Sequence, residues 1–202
     1  MIENPSEKDE VYLANVAKIG NSIDNIQYIN DVLSKEEHQL ILDYVRGVNS
    51  WHDEPWLVKT VRSHEMPKEI MTLLEKIFTV VYEKSTDLYG VEIRPMKKES
   101  ITLFNFPEGY ELIQHVDTLS DESLHIASVY YINDEYSGGE ISFKDHGLTI
   151  KPKANSLIFF PGNESYSHGV SKIFDTDRYS SALWFQFAGS NFSKKSEWYG
   201  NK

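Results

Sequence analysis

The chain has no cysteine among its 202 residues. Disulfides, thiolate metal sites and a cysteine nucleophile are therefore excluded, and a reducing compartment is compatible with the composition. Long apolar runs are missing too. Stretches such as Leu157 to Phe160 fall far short of the roughly 20 residues a spanning helix needs, so no membrane segment is expected. The opening MIENPSEKDE carries neither a basic nor an apolar region, which predicts no secretory signal and a cytoplasmic location. Basic charge is scarce: 20 Lys and Arg stand against 31 Asp and Glu, giving a formal charge of −11. Such a surface repels phosphate backbones, so no nucleic-acid partner is expected. Nine acids and the single base Lys144 lie between Pro107 and Gly147. A run of this kind usually marks a solvated face; the functional alternative is a site that attracts a metal cation or a basic partner.

What is present suits a globular protein, with 40% hydrophobic and 25% charged residues. The length predicts one domain over 1–202, with a helical lead-in over 26–90 packed on a core over 91–190. The first 25 or so residues read as loose chain before a short strand at Ile26 to Ile29. Ser34 and Glu37 form a capping box ahead of a helix with Leu33, His38, Leu40, Ile41, Tyr44 and Val45 on its apolar face, ending at Gly47. A second helix runs from Pro67 to about Leu88, with Gly90 as its stop. From Val91 onwards, short runs rich in Ile, Val, Tyr, Phe and Thr alternate with turn residues. Strands are expected at 91–95, 100–106, 111–116, 124–132, 139–144, 147–151, 156–160, 166–173 and 178–187. This is a mainly β (α+β) pattern, an antiparallel sandwich or barrel of jelly-roll type with supporting N-terminal helices.

Of the seven histidines, His115 stands out because Asp117 follows two residues later. On a strand, residues i and i+2 share a face, so both side chains can reach one point inside a barrel. His168, in SYSHG, lies in another expected strand. Two His and one carboxylate make the facial triad of non-haem Fe(II), with positions left open for oxygen chemistry. The spacing alone is equally compatible with a strand-edge His115, a turn-capping Asp117 and a loop His168. Arg178 follows His168 by ten residues and is one of only four arginines, set in the otherwise apolar strand ending Leu183-Trp184-Phe185. A cation in a barrel strand needs an anion, and guanidinium can grip a carboxylate with two parallel hydrogen bonds. An edge position paired with Asp177 or solvent is the alternative. His125 and His146 read as exposed strand or turn residues, and His38, His52 and His64 as surface.

In that order, HVD, YYIN, SGGE, SHG and the strand from Arg178 resemble the 2-oxoglutarate- and Fe(II)-dependent dioxygenases, particularly the prolyl 4-hydroxylase branch. The resemblance runs roughly from Ile26 to Phe187, through FPEGYELIQHVDT, ASVYYINDEYSGGEISF, LTIKPKANSLIFFP and SHGVSKIFDTDRYSSALWF. It implies a double-stranded β-helix (jelly roll) in which His115, Asp117 and His168 bind Fe(II). Arg178 and the hydroxyl of Tyr131 would hold the distal carboxylate of the cosubstrate 2-oxoglutarate, with Ser180 assisting and Tyr130 in the core. No catalytic residue beyond the metal ligands is implied. The implied reaction uses O2, with ascorbate as a supporting reductant, and hydroxylates a C–H bond while releasing succinate and CO2. Asp117 favours hydroxylation over halogenation, because a halide needs the position the carboxylate fills. The branch points to a prolyl residue in a peptide or protein partner, held beneath a flap at 50–65 whose Trp51 and Trp56 read as core. The rivals are hydroxylation of a free amino acid or small metabolite, and a non-catalytic metal-binding jelly-roll module. One departure is Phe106 before Pro107-Glu108-Gly109, where relatives carry a Tyr, which leaves the site one hydroxyl short.

Overall fold

The computed structural model describes residues 10–55, 57–95, 101–120 and 124–190. The first described element is helix α1 (Glu10–Ile19), where the sequence predicts loose chain. Tertiary packing accounts for it: the Tyr12 ring lies 4.8 Å from that of His125 and 5.9 Å from that of Phe187. Strand β1 (Gln27–Asn30) precedes α2 (Lys35–Gly47). At the start of α2, Ser34 accepts from the Glu37 N–H and Glu37 accepts from the Ser34 N–H, the expected capping box. Of the apolar face expected for α2, Ile41 and Val45 are buried while Leu40 is 45% exposed. Next come β2 (His52–Asp53), β3 (Lys59–Arg62) and α3 (Lys68–Tyr89), which stops at Gly90 with φ +63°.

The remainder is mostly strand: β4 (Ile93–Pro95), β5 (Thr102–Phe106) and β6 (Leu112–His115), then, after the one-turn helix α4 (Asp117–Ser120), β7 (Ile126–Tyr131) and β8 (Ser137–Gly138). They continue as β9 (Ile141–Phe143), β10 (Leu148–Ile150), β11 (Ser156–Pro161), β12 (His168–Val170), β13 (Ile173–Phe174) and β14 (Arg178–Phe187). The single strand expected at 166–173 is thus two short ones, β12 and β13. The region expected as helical lead-in also contributes three strands. The major sheet runs β1-β11-β7-β14-β5-β3-β2, with β4 also paired to β14; a smaller sheet runs β10-β9-β12-β6, and β8 pairs with β13. Every pairing is antiparallel.

Period-two alternation on β7 and β14 divides the core into two layers. Leu183, Phe185, Phe187, Ile126 and Tyr130 face the helices and pack with Ile70, Leu74, Ile77 and Val81 of α3. Ala127, Tyr131 and Trp184 face the other way and pack with Ile141, Phe143, Ile158 and Phe160 between the two sheets. Helices, major sheet and minor sheet are therefore stacked in that order, the jelly-roll core expected for this chain.

Residues 50–65 do not form a detached flap. β2 and β3 make a hairpin with a tight turn, Glu54 N–H donating to the Val58 carbonyl at 2.8 Å, and β3 pairs with β5 as part of the major sheet. Trp51 packs on the helix-side core and stacks on Tyr179 at 5.9 Å. Trp56 lies outside the described residues.

Candidate metal and cosubstrate site

His115 ends β6 and His168 begins β12, and the two are direct partners across the minor sheet. Asp117 is not on that strand: it is the first residue of α4. The strand-face argument from the two-residue spacing is therefore incorrect. What turns Asp117 back towards the histidines is its anchorage, since both the Thr118 N–H and hydroxyl donate to the Gly162 carbonyl, at 3.1 and 3.0 Å. Gly162 must be glycine here, because a Cβ would lie 2.4 Å from the Leu124 carbonyl oxygen and 3.3 Å from Asp117 Cβ. Gly169 is also forced, a Cβ there meeting the Leu112 carbonyl at 2.9 Å.

The outcome is one ligand atom from each of His115, Asp117 and His168, all within 4.8 Å of one another. His115 Nδ1 lies 3.0 Å from the Ile113 carbonyl and His168 Nδ1 3.2 Å from that of Tyr166. A carbonyl only accepts, so each Nδ1 carries hydrogen and each Nε2 presents a lone pair. The Asp117 carboxylate, 3.6 Å from His115 Nε2, favours the protonated imidazole and raises the His115 pKa. Burial among Phe143 and Phe160 lowers that of His168. Two neutral imidazoles and a carboxylate, with one side open, can hold a divalent first-row ion. Of the described acids between 107 and 147, Asp117 alone is buried; Glu108, Glu111, Asp134, Glu135 and Asp145 are exposed. The acid run is mostly a solvated face, while Asp121 and Glu122 lie outside the described residues.

Arg178 starts β14 on the inter-sheet face and is 3% exposed. The other three arginines are surface residues, each near a glutamate: Arg46 with Glu135, Arg62 with Glu54 and Arg94 with Glu92. Arg178 differs, because its Nε and Nη1 are buried without a hydrogen-bond partner. The Phe106 ring covers its guanidinium at 4.3 Å, and the Tyr131 ring centre is 5.9 Å away. A carboxylate is the group that such an unpaired, fork-shaped donor fits. Tyr131 is fully enclosed, and burial pushes its hydroxyl up to about 12, against the pull of Arg178, so it stays a donor at neutral pH. Ser180 pairs with Tyr131 across β14 and β7. Tyr130 faces the helices, where its hydroxyl meets His38 Nδ1 at 2.7 Å and Asn155 Oδ1 at 3.1 Å.

Three histidines differ from expectation. His125 is 1% exposed and its Nδ1 accepts from the Phe187 N–H at 2.8 Å. His38 is half-buried against Tyr130, and His146 donates to the Ser165 carbonyl at 2.9 Å while stacking on Tyr166. His52 and His64 are exposed. None of the five joins the converging group of His115, Asp117 and His168. Local signals in the sequence accompany two more residues here: Tyr136 precedes Ser137-Gly138-Gly139, and Gly162 stands in the Pro161-Gly162-Asn163 turn. A cleft between α3 and β4, lined by Phe78, Tyr82, Leu183 and Phe185, lies on the opposite face of the major sheet and holds none of these residues.

Residues 101–186 match the 2OG-Fe(II) oxygenase superfamily. No curated protein sequence matches the chain. Solved structures with a similar fold include a prolyl hydroxylase from Trichoplax adhaerens in complex with a hypoxia inducible factor oxygen degradation domain peptide fragment (TM-score 0.68, 18% identity, 93% of this chain and 94% of that one). A viral collagen prolyl hydroxylase from Paramecium Bursaria Chlorella virus-1, as its 2OG complex, gives 0.61 at 16% identity over 80% and 95%. A Pseudomonas putida prolyl-4-hydroxylase gives 0.64 at 14% identity over 89% and 100%. No described helix is long and apolar enough to cross a membrane.

Proposed function

Starting from a 2OG-Fe(II) oxygenase core with the fold seen in prolyl hydroxylases, we propose that the chain hydroxylates a prolyl residue in a peptide or protein. The reading is carried by one observation: His115, Asp117 and His168 converge in the barrel that also buries the unpaired edge of Arg178. In this reading the three converging side chains hold Fe(II), and Arg178 with Tyr131 holds the distal carboxylate of 2-oxoglutarate. When bound, Fe(II) and 2-oxoglutarate supply the O2 chemistry that couples decarboxylation to succinate and CO2 with C–H hydroxylation; ascorbate serves as a supporting reductant. Ile158, Phe143, Phe160 and Trp184 form an apolar lining that keeps water from the reacting groups. The carbonyl-anchored Nδ1 atoms of both histidines hold the imidazoles in register, so little reorganisation is needed on binding.

A peptide substrate is supported by the partly exposed His115, by the exposed acids Glu108 and Glu111 on the turn leading into β6, and by the β2–β3 hairpin bordering β5. Proline suits an extended segment at low ordering cost, because its φ is fixed. The experiment is mass spectrometry of prolyl peptides, with and without flanking Lys or Arg, incubated with Fe(II), ascorbate and 2-oxoglutarate. One added oxygen atom only in the complete mixture is expected. Faster turnover of free proline or a small metabolite than of any peptide would overturn the peptide substrate, and binding of 2-oxoglutarate without any succinate would overturn the enzyme.

A further inference from the structure

The grip on the cosubstrate is incomplete with Arg178 and Tyr131 alone. A carboxylate offers about four acceptor positions, and Phe106, lying 4.3 Å over the guanidinium, adds packing but no hydrogen bond. On the loop between β7 and β8, Tyr136 is 3% exposed, and its hydroxyl is buried with no hydrogen-bond partner. Among the described tyrosines it is the one in that state. A buried hydroxyl without a partner carries a free-energy penalty that native structures avoid, unless a ligand supplies the partner.

We propose that Tyr136 is a further cosubstrate-binding residue, its hydroxyl donating to the distal carboxylate of 2-oxoglutarate beside Arg178. This rests on the oxygenase reading above. Three features hold the ring in place. Gly139, at φ +68°, leaves room for it, since a Cβ there would lie 2.7 Å from Tyr136 Cε2. Gly138, also at φ +68°, lets the chain turn where a Cβ would collide with the Lys172 carbonyl at 1.9 Å. Lys151 Nζ stands 4.1 Å over the ring centre and donates to the Tyr136 and Gly138 carbonyls. Asn133 ties the same loop to the start of β14: its Nδ2 donates to the Asp177 carbonyl at 3.0 Å, and its Oδ1 accepts from the Tyr179 N–H at 2.7 Å. The segment bearing Tyr136 is therefore fixed to the strand end bearing Arg178. Burial raises the Tyr136 pKa and the Arg178 charge pulls it back, as expected of groups within electrostatic reach; the hydroxyl remains protonated and able to donate.

The test is calorimetric binding to the Mn(II)-loaded full chain, which binds without turnover, comparing wild type, Tyr136→Phe and Arg178→Ala. Two ligands are used: 2-oxoglutarate, and pyruvate, which has the same keto-acid chelate without the distal carboxylate. Losing a hydrogen bond to a charged group should weaken 2-oxoglutarate binding by Tyr136→Phe about 10-fold or more. Mn(II) and pyruvate affinities should stay at the wild-type level. Unchanged 2-oxoglutarate affinity overturns the assignment. So does an equal loss for both keto acids or for Mn(II), which would mark a role in folding the site. If Arg178→Ala binds 2-oxoglutarate like wild type, the oxygenase reading of the site fails; if only Arg178→Ala is impaired, that reading stands and Tyr136 is removed from it.

Discussion

Arg178→Met should stabilise the cosubstrate-free protein while abolishing its response to 2-oxoglutarate. A buried ion carries a desolvation penalty of several kcal/mol, and a cation–π contact returns up to about 2 kcal/mol. Arg178 has that contact, with Phe106, but its Nε and Nη1 lack partners. Replacing buried ionic groups with apolar side chains of similar volume is neutral to stabilising by about 1–4 kcal/mol. A gain of about 1–3 kcal/mol is therefore expected, and at roughly 2–4 °C per kcal/mol for a chain of this size the melting temperature should rise about 2–12 °C. In wild type, 2-oxoglutarate at about 100 times its Kd adds roughly 2.7 kcal/mol, or about 5–10 °C. The Met variant should gain almost nothing from it. Thermal melts of the Mn(II)-loaded proteins with and without 2-oxoglutarate read both effects. A lower melting temperature without ligand, or an undiminished shift with it, would refute the reasoning that anion binding, and not stability, is what this buried cation serves.

Three further outcomes are expected. His168→Ala should weaken Mn(II) binding by at least about 10–100-fold, the range for lesser outer-shell changes, and calorimetry that finds wild-type affinity would remove it from the ligand set. Gly162→Ala places a Cβ 2.4 Å from the Leu124 carbonyl, so it should destabilise by about 1–3 kcal/mol and weaken the metal site by displacing Asp117; an unchanged melt and affinity would sink the close-approach argument. Burial holds His38 below its ordinary 6.5, against the upward pull of Asp134 and Glu135, so below that pH the unfolded chain takes up a proton the folded chain does not. Stability should thus fall as pH drops through about 6.5, and His38→Gln should show a smaller loss between about pH 7.5 and 5.5 in urea titrations; equal losses would show that His38 does not contribute.

Elements with local punctuation were legible in the sequence. The Ser34–Glu37 box, the Gly90 stop and the whole of β14 lie where capping and alternation put them. Elements held by remote contacts were not. Helix α1 is fixed by the packing of Tyr12 on His125 and Phe187, more than a hundred residues away, and no local signal announces that. The same partners explain His125, which alternation leaves ambiguous and only the Phe187 N–H settles as a buried acceptor. Within the helical lead-in, β1 falls where a short strand is expected at Ile26 to Ile29, whereas β2 and β3 were not legible: β3 is four residues long and is stabilised by β5, about 40 residues further along the chain.

The candidate ligand set was legible for a reason different from its cause. Two-residue spacing pointed to His115 and Asp117, yet the chain leaves the strand between them and Asp117 opens a helical turn. A strand would aim the carboxylate along the face of the minor sheet; the turn, pinned by Thr118 to Gly162, carries it back over the paired rings of His115 and His168, whose centres are 4.3 Å apart. Convergence therefore depends on the Pro161-Gly162 exit of β11, a strand of the opposite sheet. That places the carboxylate arm of the site at the junction of the two sheets. Side chains packed between those sheets, Phe160 and Trp184 among them, are then expected to alter metal affinity without touching the ion.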